Sequence, residues 1–180
     1  AAAGAAKGLL PFQVLFRDLS ADRQRIFRSM QEGAGEAVTR RGRDQRWPAV
    51  ADLSADGIAP FATDPLDATR LRWELRTDGL LSQYVGIPAR PGDPGYLVSI
   101  VEPEPETGER PVPGVVDEEH QLLSDGRLLH VTLWTGPGDP GSGPIAEPAL
   151  RGWKQIRVTS PFDELERKGG SSSQIGRAHV

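Results

Sequence analysis

Apolar side chains recur at helical spacing near the start of the chain and at strand spacing after residue 70. Phe12, Leu15, Phe16 and Leu19 form one stripe, which Ile26, Phe27, Met30, Ala34, Ala37 and Val38 continue after a polar gap at Asp22-Arg23. Two arrangements fit: one helix from about Pro11 to Thr39, or a second helix that begins with Ser20 as its N-cap. Pro11 suits a first helical turn, where its missing N–H would be unpaired anyway. Gly33 and Gly35 each cost roughly 1 kcal/mol against Ala, so the last turns are expected to be weak, with a polar turn from Arg41 to Arg46. Trp47 to Asp56 reads as a short second helix with Pro48 in its first turn. Gly57 is its expected C′ residue and Ile58 the hydrophobic partner of that cap. Pro60 and Pro65 stop further helix.

From Leu71 the period becomes two. Leu71, Trp73 and Leu75 alternate with Arg72, Glu74 and Arg76, Thr77-Asp78-Gly79 supplies a turn, and Leu80 to Ile87 returns. Tyr96 to Val101 is a third strand, followed by a Pro/Glu-rich excursion from Glu102 to Gly114. Val115 to Leu123 and Leu128 to Trp134 make a second hairpin, and Trp153 to Val158 an edge strand. Two Pro-Gly-Asp-Pro-Gly runs, at 91–95 and 137–141, are loop chemistry rather than a repeat. The expected fold is α+β: an N-terminal amphipathic helix and a short second helix packed on an antiparallel sheet of about 4–5 strands, whose other face is polar and exposed.

One α+β domain is expected over residues 11–160, after a disordered or truncated segment at 1–10 and before a flexible tail at 161–180. Residues 174–180, Gln174 to Val180, read as the in-frame translation of a sequencing adapter, a scar to be left out of fold reasoning. Without that scar's His179, His120 and His130 are the imidazoles to consider.

Composition narrows the function classes. Zero Cys excludes disulfides, a Cys nucleophile and Cys-ligated metals. A net charge of -4 argues against a nucleic-acid partner. The sequence shows no Gly-x-Ser-x-Gly elbow, Walker loop or His-Glu-x-x-His, so no enzyme is read.

The densest polar cluster is Asp117-Glu118-Glu119-His120, which faces His130 across the second hairpin. Imidazole with carboxylate suits zinc and similar divalent ions. The turn decides whether the two rings meet. A two-residue Asp125-Gly126 turn puts His120 opposite Val131, on the face away from His130. A three-residue loop with Gly126 as a left-handed bulge puts His120 opposite His130, with Cβ atoms roughly 4.5–5.5 Å apart. Clustering of Leu122, Leu129, Val131 and Leu133 favours the first register; metal binding needs the second. In that register the candidate ligands are His120, His130 and Glu118, the nearest carboxylate of the same parity. Arg40, Arg41, Arg43 and Arg46 read as a solvated helix end, and Glu102, Glu104, Glu106 and Glu109 as an extended solvated loop. The four Trp residues read as packing residues.

Several segments together carry a family resemblance. They are Leu19-Ser20-Ala21, then Trp47-Pro48-Ala49-Val50-Ala51-Asp52-Leu53 leading to Gly57-Ile58-Ala59-Pro60-Phe61-Ala62, and Asp117-Glu118-Glu119-His120 followed by Leu123 to Trp134. They resemble an uncharacterised proteobacterial family, a domain of unknown function in single-pass inner-membrane proteins encoded beside zinc-uptake ABC transporters. In that family the hairpin often shows a His-His pair. Here Gln121 takes the second place, which removes a potential ligand. The resemblance implies a membrane helix upstream of Ala1, continuing into the helix around Phe12–Val38, and a location on the periplasmic side of the inner membrane. It also implies a role in zinc or other divalent-metal acquisition, with a metal-uptake ABC transporter or its substrate-binding protein as partner. Membrane contact would run through the missing upstream helix alone. No cofactor is assigned beyond zinc as a candidate.

The leading expectation is therefore a non-enzymatic, membrane-anchored periplasmic accessory domain. The alternative is a structural module of pilin-like architecture with no metal role, associating through the Phe12, Leu15, Phe16 and Leu19 stripe.

Overall fold

Ser20 decides where the first helix begins. In a computed structural model, which describes residues 8–64, 70–104, 119–123 and 126–160, its side chain accepts a hydrogen bond from the Arg23 N–H at 3.4 Å. Helix α1 then runs over Ala21–Asp44. The stripe before it is not α-helical, contrary to both expected arrangements, although the Ser20 N-cap of the second is present. Gln13–Leu15 form strand β1 and Phe16–Asp18 one 3-10 turn. The reason is tertiary: β1 pairs in parallel with the last strand, β7 (Lys154–Arg157), with Gln13 opposite Gln155. Phe12 stacks on Trp134 at 5.9 Å, Leu15 is buried, and Phe16 lies against Phe27 at 5.3 Å. These contacts outweigh a period that eight residues of sequence also allowed.

Helix α1 also outlasts its expected end. Arg40 pairs with Glu36 and Asp56, and Arg41 reaches Glu102 at 2.8 and 3.0 Å. The helix closes on Gln45 in the left-handed region. Glu102, expected in a solvated loop, is instead buried by this pair. Gly33 is a point of close approach rather than a weak link: a Cβ there would lie 2.6 Å from the Ala59 carbonyl oxygen and 2.8 Å from the Phe61 ring. Helix α2 (Val50–Ala55) is shorter than expected, with Pro48 before it. Its cap is as anticipated. Gly57 has φ +74°, and the Ile58 and Gly57 N–H groups donate to Leu53 and Ser54 carbonyls in a Schellman motif.

The sheet is larger than the four or five strands expected, and it is mixed. Strands β2 (Arg72–Asp78), β3 (Leu81–Ile87), β4 (Gly95–Val101), β5 (His120–Leu122) and β6 (Leu128–Gly136) join β1 and β7 in seven strands, in the order β1-β7-β6-β4-β3-β2 with β5 beside β6. Strand β7 is interior rather than an edge. Beneath the helices, Met30, Ala34, Ala37 and Leu53 pack on Tyr84, Val98 and Val131. The buried Tyr84 hydroxyl donates to the Pro48 carbonyl at 2.7 Å, and burial holds it above the usual phenol range.

The opposite face is covered too, which corrects the expectation of an exposed polar surface. Val85, Leu97 and Trp134 meet Ile145 and Trp153 in a second core. The covering loop is fastened by Gln83, which is fully buried. Its amide donates to the Ile145 carbonyl at 2.7 Å and its oxygen accepts the Ile145 N–H at 2.6 Å. An amide side chain thus pairs as a neighbouring strand's backbone would.

The second hairpin takes the bulged register. Gly126 has φ +90°, the Leu123 N–H donates to the Arg127 carbonyl while the Leu123 carbonyl accepts from the Gly126 N–H, and His120 lies opposite His130. The expected beginning of this strand, at 115–118, lies outside the described residues, as do 1–7, the tail 161–180 and the adapter-like 174–180.

Two substitution experiments check this packing. Gly33→Ala is expected to destabilise the protein by about 1–3 kcal/mol in urea unfolding, because overpacking outweighs a helix-propensity gain of about 1 kcal/mol. Gly35→Ala, where a Cβ meets nothing within 4 Å, is expected to stabilise it. Equal effects at the two positions would contradict the close approach. Gly126→Val, forced to positive φ, is expected to cost about 1–3 kcal/mol and to weaken the nuclear Overhauser contacts between the His120 and His130 rings.

Candidate metal centre

Two constraints bring His120 and His130 together. Register places them opposite one another, and strand alternation turns both toward the face away from α1. Their ring centroids are 5.1 Å apart with planes inclined by 29°. The His130 side chain is 47% exposed, so the pair is open to solvent on one side. His130 also lines a cavity of about 320 Å³ whose walls include Phe12, Ser99, Glu119, Thr132 and Glu147.

Among the described residues, the carboxylate in contact with the pair is Glu119. Its Oε2 lies 3.4 Å from His130 Nε2, while Oε1 accepts from Gln155 Nε2 at 2.9 Å and pairs with Arg157 Nη1 at 3.0 Å. Gln155 is oriented in turn by Gln13, whose amide donates to the Gln155 oxygen at 3.0 Å. This cluster exists because β5 and β7 share one edge of β6. The first pairs along Leu128–His130 and the second at Trp134 and Thr135. Thr132 and Leu133 fall between them, and Glu119, Gln155 and Arg157 meet at that junction. Glu119 accordingly lines cavities on both faces of the sheet.

Glu118, the carboxylate chosen by parity, lies outside the described residues. Glu119 belongs to the same sequence cluster, but strict alternation sends it to the face opposite His120. It escapes that rule by standing at the turn that begins β5, where its carbonyl still accepts the Val131 N–H at 2.6 Å. No local signal announces Arg157 as its partner, since the two are joined through separate strands.

The donor set is suited to a divalent ion of the zinc type, for which neutral imidazole is a good ligand. It is not a closed structural cage, which takes four protein ligands. Among the described residues, no group of three or more His, Asp or Glu side chains is arranged to hold a metal ion. Several other sequence candidates have structural employment, while Glu106 and Glu109 lie outside the described residues. Arg40 and Arg41 are tied into ion pairs, and Trp73, Trp134 and Trp153 are buried. Among the described residues no helix is long and apolar enough to cross a membrane.

No curated protein and no solved structure matches this chain. A family match spans residues 13–159, from β1 through β7 and so across both imidazoles and the Glu119 junction. The chain belongs to the family of unknown function DUF6162.

Proposed function

We propose that this protein is a non-enzymatic accessory domain that presents a paired-imidazole site to a divalent cation, zinc first among them. The observation that carries the reading is the facing of His120 and His130, with ring centroids 5.1 Å apart on one sheet face. Two imidazoles supply half of a tetrahedral shell, leaving the rest to water or to groups of an incoming molecule. Such a site holds metal loosely and releases it readily, which suits a step in acquisition better than a structural role. The periplasmic location, the membrane anchor and a metal-uptake ABC transporter or its substrate-binding protein as partner belong to the same proposal. They rest on the sequence resemblance.

The pilin-like alternative asked for a free apolar stripe at Phe12, Leu15, Phe16 and Leu19. Phe12 and Leu15 are engaged within the chain, and Phe16 packs on Phe27 beneath the Arg28 guanidinium. That observation favours the metal reading.

Calorimetric titration of the full chain with zinc checks it. Saturable one-to-one binding is expected near micromolar strength, about -8 kcal/mol at 1 μM. The His120→Ala/His130→Ala double variant is expected to lose it. Equal binding by both proteins, or none by either, overturns the reading.

A further inference from the structure

Glu119 touches His130 at one ring nitrogen, and the contact has a chemical direction. An ionised carboxylate accepts hydrogen bonds and donates none. The 3.4 Å approach of Oε2 to Nε2 is therefore a hydrogen bond when Nε2 carries the ring proton. A neutral imidazole protonated at Nε2 has its lone pair at Nδ1. We infer that Glu119 is a positioning residue: it fixes His130 in the Nε2–H tautomer, so that Nδ1 is the atom this ring offers to a cation. The inference rests on the paired-imidazole reading and adds to it the ligating atom and the residue that selects it.

The carboxylate is held from behind. Arg157, with its side chain 10% exposed, and Gln155 both bind Oε1, and Oε2 lies 3.4 Å from His130 Nε2. The Gln155 amide is itself fixed, because its oxygen takes the Gln13 amide and its nitrogen then faces Glu119. A chain of hydrogen bonds thus runs from β1 through β7 to the imidazole pair. The Arg157 charge also offsets that of Glu119, so the carboxylate is placed to orient a ligand rather than to serve as the anionic ligand itself. Carboxylates that orient a metal-binding imidazole commonly act in this way, and their loss lowers metal affinity by about 10–100-fold.

Nitrogen-detected NMR of the full chain labelled at its histidines tests the assignment, with signals identified through His120→Ala and His179→Ala variants. In the metal-free protein at pH 8, His130 is expected wholly as the Nε2–H tautomer. On addition of zinc, Nδ1 is expected to take the coordinated shift while Nε2 keeps its proton. Glu119→Gln is expected to mix the tautomers and to lower zinc affinity about 10–100-fold. Mixed tautomers in the wild-type protein, coordination through Nε2, or a Glu119→Gln spectrum like the wild type each overturn the inference. The wild-type spectra decide the matter even where the variant does not fold. Should zinc shift no histidine signal, the metal reading fails, and the metal-free tautomer then separately decides whether Glu119 holds the ring.

Discussion

Strand β6 has more neighbours than one edge ordinarily accommodates. One side is taken along its length by β4, and the other is divided between β5 at the start and β7 near the end. The division leaves a junction beside Thr132 where side chains replace the missing ladder. Glu119 and Arg157 meet there as a partly buried ion pair, with Gln155 as a third member. Removing either charge would take from the other a partner at 3.0 Å, which is why the junction works as a unit. It stands at the entry to β5, one residue before His120.

The same sharing explains why the sheet needs β1. Strand β7 has only four residues, and its pairing with β6 covers two of them. Gln13–Leu15 extend the sheet on its far side, and Phe12 closes over Trp134 at the end of the second core. A segment that would otherwise lengthen the helix is thus spent on holding a short strand in place. Ser20 separates the two duties, because its capping hydrogen bond lets α1 start cleanly after the chain has turned.

Much of the helix α1 and the central hairpins was legible, because their patterns are long and their turns carry Gly. The Ser20 cap, the Gly57 Schellman cap and the strands around 71–101 follow from local chemistry. What was not legible depends on partners distant in sequence. Nothing near Gln13 says that Gln155 will lie opposite, and nothing in a Gln at position 83 announces a covering loop at Ile145. Of the candidate site, the two imidazoles were legible but their register was not settled. Four leucine and valine positions argued for one alignment, and a single Gly at φ +90° belongs to the other. Burial could not decide between them, since the chosen register turns Gln121 toward the α1 side, where it shares a cavity with Gln31 at the helix margin. A polar residue is tolerated there because that margin is not closed.

That open margin bears on the chemistry of the imidazole pair. A hairpin of three-residue pairing length would slide or fray if its register rested on hydrophobic alternation alone. Here it is pinned at both ends: Gly126 fixes the turn, and the Val131 N–H bonded to the Glu119 carbonyl fixes the entry, at 2.6 Å. Between those pins the rings are held face to face without a third ligand among the described residues to trap an ion. Rigid backbone with an incomplete donor set is a combination that favours exchange. On the metal reading proposed above, a cation would find both imidazoles already on one sheet face, and the other half of its shell would remain open to a competing donor.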